Sequence, residues 1–245
     1  MNTLDAMNYL KKKKWIDLSH EIHESIPRFG AFNGSQEKTL FTIKKDGFFA
    51  KEYTLPTQYS THIDAPIHFA EGKRYLHEIK LKELVLPLYV IHKEDVVQHN
   101  HDYCLTVQDI LDFEAEFGPI PEGSFVAFAS GWSSRWKSTE AYYNCDKEGA
   151  AHTPGWSLAA LKYLSEIRNV TAIGHETLDT DSAADFRKNQ GLLGEYYWLK
   201  QNKYQVEVMR NLNQVPAVGS VIVTSFPNLL NAPGFPVRSI ALLPD

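Results

Sequence analysis

A chain of 245 residues, 43% hydrophobic and 22% charged, is long enough to bury a proper core and has the balance of an ordinary soluble globular protein. Its net charge of −5 gives no electrostatic footprint for nucleic acid, and the basic run at residues 11–14 reads as a solvated edge before Trp15. Two cysteines, Cys104 and Cys145, make neither a metal knuckle nor a disulfide scaffold. With no membrane-length apolar run and no apolar signal core, the expectation is a cytoplasmic protein with a small-molecule substrate and no membrane partner.

In chain order, residues 1–14 read as an amphipathic lead-in, and 15–20 as a short strand running into a loop that carries His20 and His23. Phe29 and Phe32 can line an apolar pocket or simply pack the core. Residues 48–55 alternate enough to be a strand feeding the segment that follows. The apolar run 84–91 reads as a buried strand, with Pro87 arguing for an edge or a bulge. Thr106 followed by Asp109 makes a capping-box start for a helix through Phe117, and 124–130 is another buried strand, with Gly131-Trp132 directly after it. Ser157 caps a helix over 158–167, whose Leu158, Leu161 and Leu164 would cover a sheet. Residues 170–173 form the next strand, with His175 and Glu176 at its exit, where polar groups serve either a site or a structural turn. A helix over 195–202, an extended piece at 204–208 and strands at 218–226 and 237–243 complete an α/β chain with a mixed sheet, expected to form a single domain over residues 1–245.

The segment most loaded with chemistry is 58–69, Gln-Tyr-Ser-Thr-His-Ile-Asp-Ala-Pro-Ile-His-Phe. If it is extended, His62 and Asp64 point the same way, and Gln58 shares their parity. An imidazole, a carboxylate and an amide oxygen on one face suit a divalent cation, and so oxygen-rich a set favours manganese over zinc. Pro66 ends regular pairing, so His68 can approach the same point from another direction, as a base. The alternative is a half-buried strand whose histidines only hydrogen-bond their neighbours. Ser60 beside His62 does not make a nucleophile relay, because adjacent strand residues face apart and no Gly-x-Ser-x-Gly elbow is present.

This segment resembles the His-x-Gly-Thr-His-x-Asp-x-Pro-x-His-Phe motif of the cyclase-like metal-dependent hydrolases, a family that includes bacterial kynurenine formamidase and isatin hydrolase. Two positions depart from it: Gln58 stands at a metal-binding His, and Ser60 at the usual Gly. Weaker likenesses run from Asp17 to Leu243, among them Gly131-Trp132, His152-Thr153-Pro154-Gly155 and Phe235-Pro236-Val237-Arg238. The resemblance implies a swivelling β/β/α-type domain, assembled as a homodimer or homotetramer. It also implies that Glu207, and by spacing Glu195, completes the metal shell or holds a second ion bridged by Asp64.

The resulting expectation is a hydrolase that opens an amide or lactam C–N bond with metal-activated water, His68 as base, and Phe29, Phe32, Tyr59, Trp132, His175 and Glu176 around the substrate. A lactone hydrolase would use the same centre without needing the aromatic pocket. A binding protein without turnover would be compatible with Gln58 but has no use for His68.

Overall fold

In the computed structural model, which describes residues 2–245, thirteen strands and eight α-helices follow one another as α1 (Thr3–Lys11), β1 (Trp15–Asp17), β2 (Gln36–Phe41), α2 (Ile43–Asp46), β3 (Ala50–Thr54), β4 (His62–Asp64), β5 (Val85–His92), α3 (Glu94–His99), β6 (Cys104–Leu105), α4 (Val107–Phe117), β7 (Phe125–Ala129), α5 (Thr139–Tyr143), β8 (Gly155–Trp156), α6 (Leu158–Lys162), β9 (Ala172–His175), α7 (Ala183–Asn189), α8 (Leu193–Lys200), β10 (Tyr204–Glu207), β11 (Ser220–Ser225), β12 (Gly234–Pro236) and β13 (Arg238–Leu242). Nine strands make one mixed sheet in the order β1-β13-β11-β5-β7-β9-β10-β4-β12. Its centre, β5-β7-β9-β10, is parallel, and antiparallel strands extend it on both sides. The expected α/β fold with a mixed sheet is the one observed.

Period-two alternation divides the central strands between two cores. Leu86, Leu88 and Val90 of β5, with Phe125 and Ala127 of β7, enter a core shared with β1, β4, β11 and β13. Ile91, Val126, Phe128 and Ile173 face the opposite way, onto Ile110 and Phe113 of α4, Leu161 of α6 and Trp198 of α8. Each such Val, Leu, Ile or Phe side chain, when fully buried, contributes roughly 1.5–3 kcal/mol. Thr106 caps α4 as expected: its Oγ1 accepts from Asp109 N, and Asp109 Oδ2 accepts from Thr106 N.

Two expectations need correcting. Pro87 does not mark an edge strand, because β5 lies between β11 and β7. Pairing with β7 begins only at Leu88, so the proline stands where one side of the strand has no neighbour to donate to. The strand expected before the 58–69 segment is β3, which pairs with β2, a strand the alternation did not reveal, in a separate hairpin with no buried residue in either strand. Finally, residues 58–61 are not extended. The chain bends there, and regular pairing covers His62–Asp64 alone.

Gly155 holds two layers together. Trp156 N donates to Thr180 O at 2.8 Å, and a Cβ at Gly155 would overlap backbone atoms of Thr180, Asp181 and Ser182. Backbone cannot yield as a flexible side chain does, so Gly155→Ala is expected to destabilise the fold by at least the ~1–3 kcal/mol typical of overpacking, read as a lowered urea midpoint. An unchanged midpoint would show that the 180–182 crossing is looser than its geometry implies.

Candidate metal centre

Strand β4 lies between β10 and β12, with His62 opposite Glu207 and Pro236, and Asp64 opposite Gln205 and Gly234. Directly opposed residues share a face of the sheet, so His62, Asp64, Gln205 and Glu207 converge, all buried. Ser60 orients the imidazole. Its φ of +58° turns its carbonyl towards His62, whose Nδ1 donates to it at 2.9 Å, and the other ring nitrogen is left free. A left-handed conformation costs an L-residue roughly 1–2 kcal/mol, which gives a physical reason for glycine at this position in the motif. Ser60 Oγ donates to His20 O at 3.3 Å, a partial compensation.

His62 Nε2 lies 3.5 Å from Glu207 Oε2 and 3.7 Å from Asp64 Oδ1. The outer oxygens of both carboxylates are already engaged. Gln205 Nε2 donates to Asp64 Oδ2 at 3.1 Å and to Glu207 Oε1 at 2.9 Å, while Thr180 Oγ1 donates to Gln205 Oε1 at 2.8 Å. His175 Nε2 is 3.3 Å from the same Glu207 Oε1. The atoms left over, His62 Nε2, Asp64 Oδ1 and Glu207 Oε2, face one another.

A second group forms around the same aspartate. His68 ends the 3₁₀ turn Pro66–His68, and its Nε2 is 3.9 Å from Asp64 Oδ1. Glu195 is placed by the start of α8, where Asp181 accepts from Gly194 N (2.8 Å) and Glu195 N (2.9 Å). Within each trio, His62–Asp64–Glu207 and Asp64–His68–Glu195, one ligand atom per residue lies within 4.8 Å of the others. His68 alone among the five keeps an appreciable exposure, 26% of its side chain.

These residues fit a divalent cation. Asp64 Oδ1 and Glu195 Oε2 are buried without a hydrogen bond, each an unsatisfied acceptor that a cation would satisfy. Burial holds the carboxyls of Glu195 and Glu207 well above the usual range, and neighbouring carboxylates push further: Asp64, Asp179 and Asp181 on Glu195; Glu195, Asp64 and Asp179 on Glu207. Burial also lowers His62, and lowers His175 to about 3, so both imidazoles are neutral, the form that binds metals.

Other candidates fall elsewhere. Gln58 reaches the centre but does not offer its oxygen. Thr57 Oγ1 donates to Gln58 Oε1, and the amide nitrogen, whose lone pair is delocalised, faces inward, so the expected ligand role is not met. Glu176 spends its carboxylate on Ser130 N (2.8 Å), Ser130 Oγ, Trp132 N and Ser133 Oγ, and so holds the 130–133 turn. Tyr59 is fully buried, its hydroxyl accepting from Ser35 N and donating to His23 O, and Trp132 is buried with its Nε1 donating to Tyr142 O. Both are packing groups, not walls of an open cavity. Phe29 is exposed, and Phe32 lines a groove of about 330 Å³ at the root of the β2–β3 hairpin.

Gln205 carries no role in the sequence reading, while residues 178–182 resemble the family's segment after β9, with the acidic pair Asp179 and Asp181 equally able to cap a turn. Gln205 shares strand parity with Glu207, a signal that was available. The Asp179 carboxyl is raised to about 6 by desolvation and by the charges of Asp181 and Asp64.

Comparison with known proteins identifies the family. Residues 16–182 match the family model described as a putative cyclase. The chain belongs to that family. It is 27% identical over 202 residues to an isatin hydrolase of Roseibium aggregatum, covering 80% of this chain and 76% of the relative. It is 35% identical over 80 residues to a kynurenine formamidase of Geobacillus thermodenitrificans, covering 32% and 38% of the two chains. Isatin hydrolase A from Labrenzia aggregata, solved with benzyl benzoate, superposes with a TM-score of 0.90 at 26% identity over 99% of both chains. The isatin hydrolase A of Ralstonia solanacearum gives 0.91 at 26% identity, covering 100% of this chain and 98% of that one.

Raised carboxyl values in Glu195 and Glu207 mean that, without a cation, these two groups bind more protons in the folded protein than in the unfolded chain above about pH 4.5. Stability of chelator-treated protein is therefore expected to fall as pH rises above about 6.5, where His62 and His175 are neutral in the folded and unfolded chain alike, and added manganese or zinc to restore it. Melting temperatures across pH 5–8, with and without metal, read this directly; a metal-independent, flat profile would contradict it.

Proposed function

We propose that this protein is a metal-dependent hydrolase that opens the C–N bond of a small cyclic or formyl amide. The carrying observation is the convergence of three free, buried ligand atoms, His62 Nε2, Asp64 Oδ1 and Glu207 Oε2, beside the partly exposed imidazole of His68. Membership of the cyclase family and the likeness to isatin hydrolase support the choice of a cyclic amide.

A divalent cation held by His62, Asp64 and Glu207 would supply Lewis acidity, polarising the amide carbonyl and making water nucleophilic near neutral pH. Glu195 is available to complete the shell or to hold a second ion with Asp64. With three carboxylates against one imidazole, the set favours manganese over zinc. Ser60 O fixes the tautomer of His62, and Gln205 holds Asp64 and Glu207 in register. His68 accepts the proton of the attacking water. As the water oxygen bonds to the acyl carbon and the C–N bond breaks, His68 returns that proton to the departing nitrogen, a contribution of roughly 10²–10⁴-fold.

No helix among the described residues is long and apolar enough to cross a membrane. The exposed hairpin, with Phe41, Phe48, Phe49 and Tyr53 at its surface, supports the homodimer or homotetramer reading.

Metal content by elemental analysis should be one or two ions per chain, and lost in Asp64→Ala. His68→Ala should keep its metal and lose at least 100-fold in kcat towards isatin or an aryl formamide. Equal turnover in that variant would exclude His68 as the base.

A further inference from the structure

Gln58 is the chain's departure from the metal-binding motif, and its amide has a defined surrounding. Thr57 Oγ1 donates to Oε1, which fixes the oxygen end away from the centre. The nitrogen end is buried and has no acceptor. It occupies the space that a side chain at Gly234 would take: a Cβ built there would sit 2.5 Å from Gln58 Nε2 and 3.3 Å from Asp64 Oδ1. Gly234 is the β12 residue opposite Asp64, so the Gln58 amide stands on the same face of the sheet as the free oxygen of Asp64, with no hydrogen bond between them.

A buried, unpaired N–H donor beside an unpaired carboxylate oxygen is costly unless an outside group completes both. A cation completes the oxygen. A donor cannot bind a cation, so it needs an acceptor, and the acceptor that reaches this point in an amide hydrolase is the oxygen of the scissile carbonyl. We propose that Gln58 Nε2 is a catalytic hydrogen-bond donor to that oxygen, in place of the ligand role implied by its position in the motif. As water adds to the acyl carbon, the carbonyl π pair moves onto oxygen. A preorganised donor gains strength in step with that charge and favours the transition state over the bound substrate. Gly234 is then the positioning residue, because any side chain there would displace the amide.

The inference rests on the hydrolase reading, and two variants separate the failures. In manganese-loaded protein, Gln58→Leu should keep its affinity for the metal within threefold and lose at least 100-fold in kcat on isatin. It should also bind oxindole, a lactam used here as a binding probe, at least threefold more weakly by calorimetry. Gln58→Glu offers two ligand oxygens and no donor: its metal affinity should equal or exceed that of the wild type, yet kcat should fall to the Gln58→Leu level. A tenfold loss of metal affinity in Gln58→Leu would show the amide to be a ligand and overturn the proposal. Retained turnover in Gln58→Glu, or oxindole binding unchanged in Gln58→Leu, would overturn it equally. If the wild type hydrolyses neither isatin nor an aryl formamide, the hydrolase reading fails, while the metal-affinity and oxindole comparisons still decide what Gln58 does.

Discussion

The carboxylate of Asp64 is the constraint on which this structure turns. It is fully buried, one oxygen is held by Gln205, and the other is left without a hydrogen bond among groups that are themselves acidic. Folding has taken an anion out of water and matched only half of it, an arrangement that costs several kcal/mol unless a cation is part of the native state. The surrounding architecture keeps that half-matched oxygen in place. β10 and β12 flank β4, the bent segment before it aims His62, and the 3₁₀ turn after it returns His68 to the same oxygen.

The sheet supplies this geometry through a change of direction. The parallel strands β7 and β9 bury both faces, as the continuous apolar sequence of β7 requires. At β10 the next neighbour is antiparallel, and there the buried face becomes polar: Gln205 and Glu207 replace the aliphatic residues of the inner strands. Three layers of contact converge on that boundary. Gly155 admits the 180–182 crossing, Asp181 from that crossing caps α8, and α8 presents Glu195.

Much of this was legible in the sequence because it depends on short spacings. His62 and Asp64 share parity, Thr106 and Asp109 form a capping box, and the apolar runs at β5, β7 and β9 declare buried strands. What stayed hidden depends on contacts distant in sequence. Gln205 clamps Asp64 across 141 residues; its parity with Glu207 puts it on the same face, but nothing local points it at Asp64. The aromatic residues misled for a related reason. Tyr59 and Trp132 have the composition of a pocket wall, but their polar atoms are committed to backbone groups within the fold. Gln58 lies near the centre, while the end of its amide that faces inward depends on Thr57, a neighbour whose hydroxyl has no fixed direction in a sequence.

Asp64 belongs to both trios of ligand atoms, and that sharing has a consequence for occupancy. Two cation sites joined by one carboxylate do not titrate independently. The first ion to arrive withdraws electron density from the bridge and adds repulsion for the second, and by linkage the second weakens the first by the same factor. Were both trios to hold ions, the centre would have two stepwise affinities separated by a coupling free energy, and its ion count would follow the free metal concentration around it. A one-ion and a two-ion form would then be two states of a single linked equilibrium, with the balance between them set from outside the fold.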